Sequence, residues 1–86
     1  MPLSDQERAI LELERSWWRE PGSKEARIRD RLGLSTTRYY RLVGALIDSA
    51  DAFAYDPLVV LRLRRERDRR RRARYEGRSA DGPRAR

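Results

Sequence analysis

The sequence predicts an all-α fold, in which a three-helix core is followed by a fourth helix that extends into an Arg-rich tail. Apolar residues recur at helical spacing in separate segments, and each segment is bounded by residues that cap or stop helices. We find no strand and no internal repeat. With 86 residues, of which 38% are hydrophobic and 41% are charged, the protein is expected to have a thin core.

The first helix is predicted over about residues 4–19. Ser4-Asp5-Gln6-Glu7 is a capping-box pattern, in which the Ser side chain caps the N3 amide and the Glu reaches back. Pro21-Gly22 stops the helix. Its apolar stripe consists of Ile10, Leu11, Leu13, Trp17 and Trp18.

The second and third helices are predicted over about 24–32 and 36–49. Ser23 caps the second helix, and Gly33 stands where a helix end requires a left-handed residue. Ser35 caps the third helix, which has the cleanest amphipathic pattern of the chain. Its buried stripe is expected to contain Tyr39, Leu42, Val43, Leu46 and Ile47.

A fourth helix is expected to begin at Asp56-Pro57, because a capping carboxylate is followed by Pro at the first helical position. Residues 50–55 are interpreted as a loop or a fraying turn, from which Phe53 and Tyr55 fold back on the core. Arg, Glu and Ala favour helix, so the fourth helix is expected to continue as a rod to about Arg74. Its first turns offer Leu58, Val59, Val60, Leu61 and Leu63 for burial.

The charge of the chain is divided unequally along its length. Residues 1–61 hold nine bases and ten acids, whereas residues 62–86 hold twelve Arg and four acids, so the net charge of +7 arises in the last part. We therefore divide the chain into a helical domain with the start of the fourth helix (1–61), an Arg-rich helical extension (62–76) and a tail expected to be disordered (77–86).

The second and third helices have the spacing of a helix-turn-helix. Gly33 lets the chain turn, Leu34 fills the corner and Ser35 starts the next helix. The exposed side of the third helix is expected to carry Thr37, Arg38 and Arg41 near its N-terminal half, with Tyr40 at the border. Such a face fits the major groove of DNA, where Arg can bind a guanine edge or a phosphate. The alternative is a turn with a purely architectural role.

The Arg-rich extension is the second candidate site. A run of arginines without interleaved acids is typical of a segment that holds a polyanion, although a solvated run that only confers solubility is the alternative. The candidate phosphate-binding residues are Arg62, Arg64, Arg65, Arg67, Arg69, Arg70, Arg71 and Arg72. The sequence therefore predicts double-stranded DNA as the partner, bound with low or modest sequence preference in nucleoid organisation or transcription control.

Several classes of function are excluded by composition. The chain has no Cys and no His, which removes disulfides, thiol nucleophiles, imidazole bases and Cys/His metal sites. Two pairs of acids at helical spacing, Glu7 with Glu14 and Glu25 with Asp30, are interpreted as solvated surface. No phosphate loop or metal-ligand spacing accompanies them, so we expect neither an enzyme nor a cofactor.

The expected location of the protein is the cytoplasm, at the nucleoid. No apolar run approaches a membrane span, and the polar N-terminus does not resemble a signal peptide.

The same residues leave other partners open. RNA or the ribosome is one alternative partner. A protein of the transcription machinery is another, contacted through Trp18 and the acidic face of the first helix, while Trp17 packs in the core. A homodimer is also open, because Gly44 and Ala45 leave a smooth strip.

Motifs along most of the chain carry a resemblance to a known family. They are Ser4-x-x-Glu7, Ile10-Leu11, Glu14, Trp17-Trp18-Arg19, Lys24-Glu25, Ile28-Arg29, Ser35-x-Thr37-Arg38-Tyr39-Tyr40, Leu46, Asp56-Pro57 and Arg62-Leu63-Arg64-Arg65. In these motifs the chain resembles, over about residues 3–74, a family of small, basic actinobacterial proteins that is catalogued as a domain of unknown function. The resemblance implies a helix-turn-helix DNA-binding protein, and at least one mycobacterial relative is described as nucleoid-associated. More distantly, the first three helices, with the corner Leu32-Gly33-Leu34-Ser35, are similar to the C-terminal helix-turn-helix domain of sigma factors, except that Arg29 stands where that domain usually has Ala.

Overall fold

The computed structural model of the chain describes residues 2–81, which form five helices and no strand. The predicted all-α class is therefore confirmed. A 3₁₀ turn, Trp17–Arg19, follows the first helix, and a π-helical segment, Ile28–Leu32, completes the second. The helices are α1 (Asp5–Ser16), α2 (Lys24–Arg27, continued by Ile28–Leu32), α3 (Thr36–Ile47), α4 (Ala50–Tyr55) and α5 (Pro57–Asp81).

The predicted capping box of α1 is present. The Glu7 amide donates to Ser4 Oγ at 3.1 Å, and the Ser4 amide donates to Glu7 Oε1 at 2.8 Å. Both bonds satisfy amides that the first turn of a helix leaves without partners. The capping box therefore determines where α1 begins.

The turn between α2 and α3 follows the predicted pattern. Gly33 adopts a left-handed conformation with φ of +67°, and its amide donates to the Arg29 carbonyl at 3.0 Å. Ser35 Oγ then accepts from the Arg38 amide at 3.2 Å and caps α3. Because the last turn of α2 is π-helical, its register shifts and the Arg29 side chain is exposed instead of meeting the next helix.

Residues 50–55 form the helix α4, so the expectation of a loop was wrong. Ser49 Oγ accepts from the Ala52 amide at 3.1 Å, and this N-cap together with three alanines stabilises a short helix. Ala52 is the buried residue of α4. Phe53 and Tyr55 remain 38% and 43% exposed, which corrects the expectation that both fold back on the core.

The long helix α5 begins as predicted, because Asp56 Oδ1 accepts from the Val59 amide at 3.3 Å. It continues to Asp81, past the end predicted at about Arg74, and so includes residues 77–81. Strong helix formers precede Gly77, and one Gly costs a helix only about 1 kcal/mol. The remainder of the expected tail, 82–86, lies outside the described residues.

The core lies where α1, α3 and the first turns of α5 meet, with α2 and α4 packed at its sides. Leu34 is buried at the corner between α2 and α3, as the turn pattern predicts. Leu58 and Leu61 of α5 are 77% and 42% exposed, so the expectation that they are buried was wrong. The core consists of Ile10, Leu11, Leu13, Ile28, Leu34, Tyr39, Val43, Leu46, Ile47, Ala52, Val59, Val60 and Leu63.

Membrane crossing requires a helix that is both long and apolar. Within residues 2–81, no helix meets both conditions.

Candidate nucleic-acid interface

The exposed face of α3 carries the side chains that the sequence assigns to it. Thr37, Arg38 and Arg41 are all exposed, whereas Tyr39 and Val43 point into the core. The side chains of Arg38 and Arg41 form no ion pair or hydrogen bond with any described residue. Two guanidinium groups are therefore available to an external acceptor on the N-terminal half of α3.

Tyr40 lies at the border of this face, as predicted. Its side chain is 36% exposed, and its ring meets the Tyr39 ring edge-on with centroids 5.1 Å apart. Lys24 Nζ lies 5.1 Å from the Tyr40 centroid, within the range of a cation–π contact. Contacts with Tyr39 and with Lys24 of α2 thus orient Tyr40, while one part of its ring stays open to solvent.

Asp48 ends α3 and carries a charge that would repel phosphate. Arg67 Nη1 lies 3.1 Å from Asp48 Oδ1, and this hydrogen bond raises the pKa of Arg67 above its usual value. The pairing compensates the negative charge of Asp48 at the end of α3.

The arginines of α5 separate into two groups in the structure. Three of them, Arg62, Arg64 and Arg67, bind residues of the fold itself. Arg64 Nε donates to the carbonyl of Ile47 at 2.9 Å, which satisfies an acceptor at the C-terminal end of α3. Its guanidinium carbon also lies 5.3 Å from the centroid of the Phe53 ring. These three arginines thus stabilise the packing of α5, and their charges are partly used within the protein.

The second group of arginines is free of such contacts. Its members are exposed and have no ion pair or hydrogen bond with a described residue. They begin next to the last core residue, Leu63, and continue along the part of α5 that leaves the core. Those among the predicted phosphate-binding residues are Arg65, Arg69, Arg70, Arg71 and Arg72, which we call the free arginine row. Arg74 is likewise exposed and has no such partner among the described residues.

Arg62 belongs to a buried ionic cluster that sequence reasoning missed. Glu14 is 1% exposed, and its carboxylate accepts from Arg62 Nη2 at 2.8 Å and from the hydroxyl of Tyr39 at 2.5 Å. Lys24 Nζ lies 2.7 Å from Glu14 Oε2, the oxygen that also accepts from the Tyr39 hydroxyl. The Glu14 cluster, Glu14 with Lys24, Tyr39 and Arg62, therefore joins α1, α2, α3 and α5.

Glu14 was expected to lie on the solvated surface, and its burial shows that this expectation was wrong. Glu14 follows Ile10 by four residues and precedes Trp17 by three, so it lies on the apolar stripe of α1. That position was the signal for burial. Because burial and the neighbouring Glu14 carboxylate both disfavour the phenolate, the pKa of Tyr39 is raised well above its usual value.

The two tryptophans differ in their surroundings. Trp17 is partly buried against the core, in agreement with its predicted packing role. Trp18 is 51% exposed, and the guanidinium carbon of Arg62 lies 5.0 Å from its ring centroid. Trp18 is therefore a large aromatic surface held in place by a cation of the Glu14 cluster.

Comparison with known proteins agrees with the broad resemblance seen in the sequence. No curated protein and no solved structure matches the chain. One family model matches residues 2–75, which include all five helices except the end of α5. The chain belongs to the family described as "Protein of unknown function (DUF3263)".

Proposed function

We propose that the protein binds double-stranded DNA with low or modest sequence preference, as a nucleoid-associated or transcription-regulating protein of the cytoplasm. The observation that carries the proposal is the free arginine row, whose five guanidinium groups have no acid to neutralise them among the described residues. Such a concentration of free cations on a helix that leaves the core is suited to a polyphosphate such as a DNA duplex.

The exposed face of α3 supports the same function. α2, the Gly33–Ser35 turn and α3 follow one another as in a helix-turn-helix, and Arg38 and Arg41 are free on the outer side of α3. In proteins that use this motif, the corresponding helix enters the major groove and reads base edges from its N-terminal half. We assign base contacts to Thr37, Arg38 and Arg41, a border contact to Tyr40, and phosphate contacts to the free arginine row.

Contacts within the fold modify the assignment of the remaining arginines. Arg62, Arg64 and Arg67 already bind Glu14, the Ile47 carbonyl and Asp48. We therefore expect them to contribute less to DNA affinity than the free row, even though the sequence assigns all of them to phosphates.

A salt titration of the intact protein with a random-sequence duplex tests the proposal. If four to six phosphates are neutralised, log affinity should fall against log salt with a slope of roughly −4 to −5. Replacing Arg69, Arg70, Arg71 and Arg72 together with Gln should flatten this slope by about 3 to 4. The matched control replaces the same four residues with Lys and should keep the slope, because the cationic charges remain.

The same assay distinguishes the base contacts assigned to α3 from the phosphate contacts assigned to α5. It also distinguishes duplex DNA from RNA as the preferred polymer. Arg41→Ala should weaken binding unequally across a panel of duplex sequences, with a loss of about 1–3 kcal/mol at sites with a guanine contact. The control, Arg29→Ala on α2, should change the affinity for all duplexes of the panel equally. Structured RNA should compete poorly with duplex DNA. Equal binding by the Gln and Lys variants, or preferential binding of RNA, would refute the proposal.

A further inference from the structure

The end of α1 and the start of α5 expose apolar side chains next to each other. Trp18 is 51% exposed and Leu58 is 77% exposed, and both line a cleft of about 360 Å³. Leu61, which is 42% exposed, lies one turn after Leu58 on the same face of α5. We call these three residues the Trp18–Leu58 surface. Adjacent exposed apolar side chains of this size are typical of interaction sites in soluble proteins.

The rim of the cleft is strongly basic. Arg15, Arg19, Arg62 and Arg65 line it, and Asp56 is the single acid among its lining residues. Arg15 is paired with Asp56 at 2.9 Å and Arg62 with Glu14 at 2.8 Å, so these charges are compensated. Arg19 and Arg65 are exposed and have no ion-pair partner among the described residues. An occupant of the cleft must therefore provide apolar anchors and negative charges together.

We propose that the Trp18–Leu58 surface docks an acidic amphipathic helix of a partner protein. Leucines one turn apart, beside a tryptophan, suit apolar anchors that recur at helical spacing on one face of a helix. Acids on the flanks of that helix would face Arg19 and Arg65 and provide electrostatic complementarity.

Charge and apolarity together distinguish this occupant from the two obvious others. A duplex would satisfy Arg19 and Arg65 but would leave Leu58 and Leu61 in contact with a charged backbone. A second copy of this chain, docked by the same surface, would set these arginines against their own symmetry mates. An acidic amphipathic helix satisfies both the leucines and the arginines.

The inference goes beyond the proposed DNA binding, and Arg65 is the one residue that both proposals use. Arg69 to Arg72 lie outside the cleft, and Leu58, Leu61 and Trp18 lie outside the free arginine row. Failure of one proposal can therefore be distinguished from failure of the other by separate sets of variants.

The test uses full-length protein and a labelled synthetic peptide of about 18 residues, with Leu at helical spacing on one face and Glu elsewhere. Fluorescence anisotropy should report a Kd on the order of 10 to 100 µM. A peptide of the same composition with the periodicity scrambled should bind about tenfold more weakly or worse. Binding that is equal for both peptides, or absent for both, would overturn the proposal.

Matched protein variants localise the binding. Leu58→Gln with Leu61→Gln should weaken the periodic peptide about tenfold or more, whereas Tyr75→Gln, at a side chain 71% exposed elsewhere on α5, should not. The Gln variant of Arg69 to Arg72 should keep peptide binding, and the leucine variant should keep duplex binding. If the leucine variant lost duplex affinity, the Trp18–Leu58 surface would be a DNA contact. If the wild type were a dimer and the leucine variant a monomer, the surface would be a dimer interface. Either result would refute the proposed docking.

Discussion

Arg62 on α5 donates through Nη2 to both the backbone carbonyl and the carboxylate of Glu14 on α1, at 2.8 Å in each case. This double contact attaches the Arg-rich helix to the body of the protein at the first arginine of the predicted extension. The same carboxylate receives the Tyr39 hydroxyl and faces Lys24, so one buried anion organises four helices. The Arg-rich segment is thus anchored in the fold before its free arginines begin.

Glu14→Gln should lower the free energy of unfolding by about 3 kcal/mol, because it leaves the cations of Lys24 and Arg62 near the core without their anion. Urea unfolding measures this change. Glu12→Gln is the matched control, since Glu12 is exposed on the same helix and its carboxylate accepts one hydrogen bond from a described residue, the Tyr55 hydroxyl at 2.8 Å. Its cost should stay below about 1 kcal/mol. Equal effects of the two substitutions would contradict the role assigned to Glu14.

The stability of the protein should decline at alkaline pH through Tyr39. In the unfolded chain this phenol loses its proton near pH 10, whereas in the folded protein its pKa is raised by burial and by Glu14. The folded state therefore holds the proton more tightly, and the stability that this supplies is complete below about pH 10 and falls as the pH rises further.

The contribution of Tyr39 can be isolated by substitution. Tyr39→Phe should flatten the decline above pH 10 by up to about 1.4 kcal/mol per pH unit. At neutral pH it should cost about 1 kcal/mol for the lost hydrogen bond. Urea unfolding at several pH values compares the variant with the wild type, and parallel curves above pH 10 would argue against this origin.

Two truncations should differ sharply in stability. Removing residues 69–86 leaves the last core residue, Leu63, and the Arg67–Asp48 pair in place, so the protein should remain folded. Removing 62–86 deletes Arg62 and Leu63 and leaves Glu14 buried with one fewer cation, so the fold should be lost or greatly destabilised. Thermal unfolding followed by circular dichroism distinguishes the two. A cooperative transition of the shorter protein at wild-type temperature would show that the fold does not depend on α5 from Arg62 onward.

Two glycines should respond in opposite directions to the same substitution. Gly33 has φ of +67°, so Gly33→Ala should destabilise the protein by about 1 kcal/mol or more. Gly44 lies within α3, and a Cβ there would meet no atom within 4 Å beyond its chain neighbours and the backbone of its own helix. Gly44→Ala should therefore stabilise the protein by about 0.5–1 kcal/mol. Thermal unfolding measures both changes, and a loss of stability in Gly44→Ala would indicate that the strip at Gly44 is covered in solution.

The sequence by itself determined the positions of α1, α2, α3 and the start of α5, because caps such as Ser4 and Ser35 and the spacing of apolar residues act within one or two turns. It also determined that the excess positive charge lies in the last part of the chain. The short helix α4 was missed, since it buries a single side chain, Ala52, and so lacks an amphipathic pattern.

Only the tertiary structure decided which charged and apolar side chains are free. Glu14 is buried and Leu58 is exposed, contrary to what their residue types suggest, because burial depends on which helices meet at those positions. The division between Arg62 and Arg69 arises in the same way, since Glu14, the buried partner of Arg62, lies far away in sequence. Helices form from local interactions, whereas the availability of a charge to a ligand depends on contacts between distant parts of the chain.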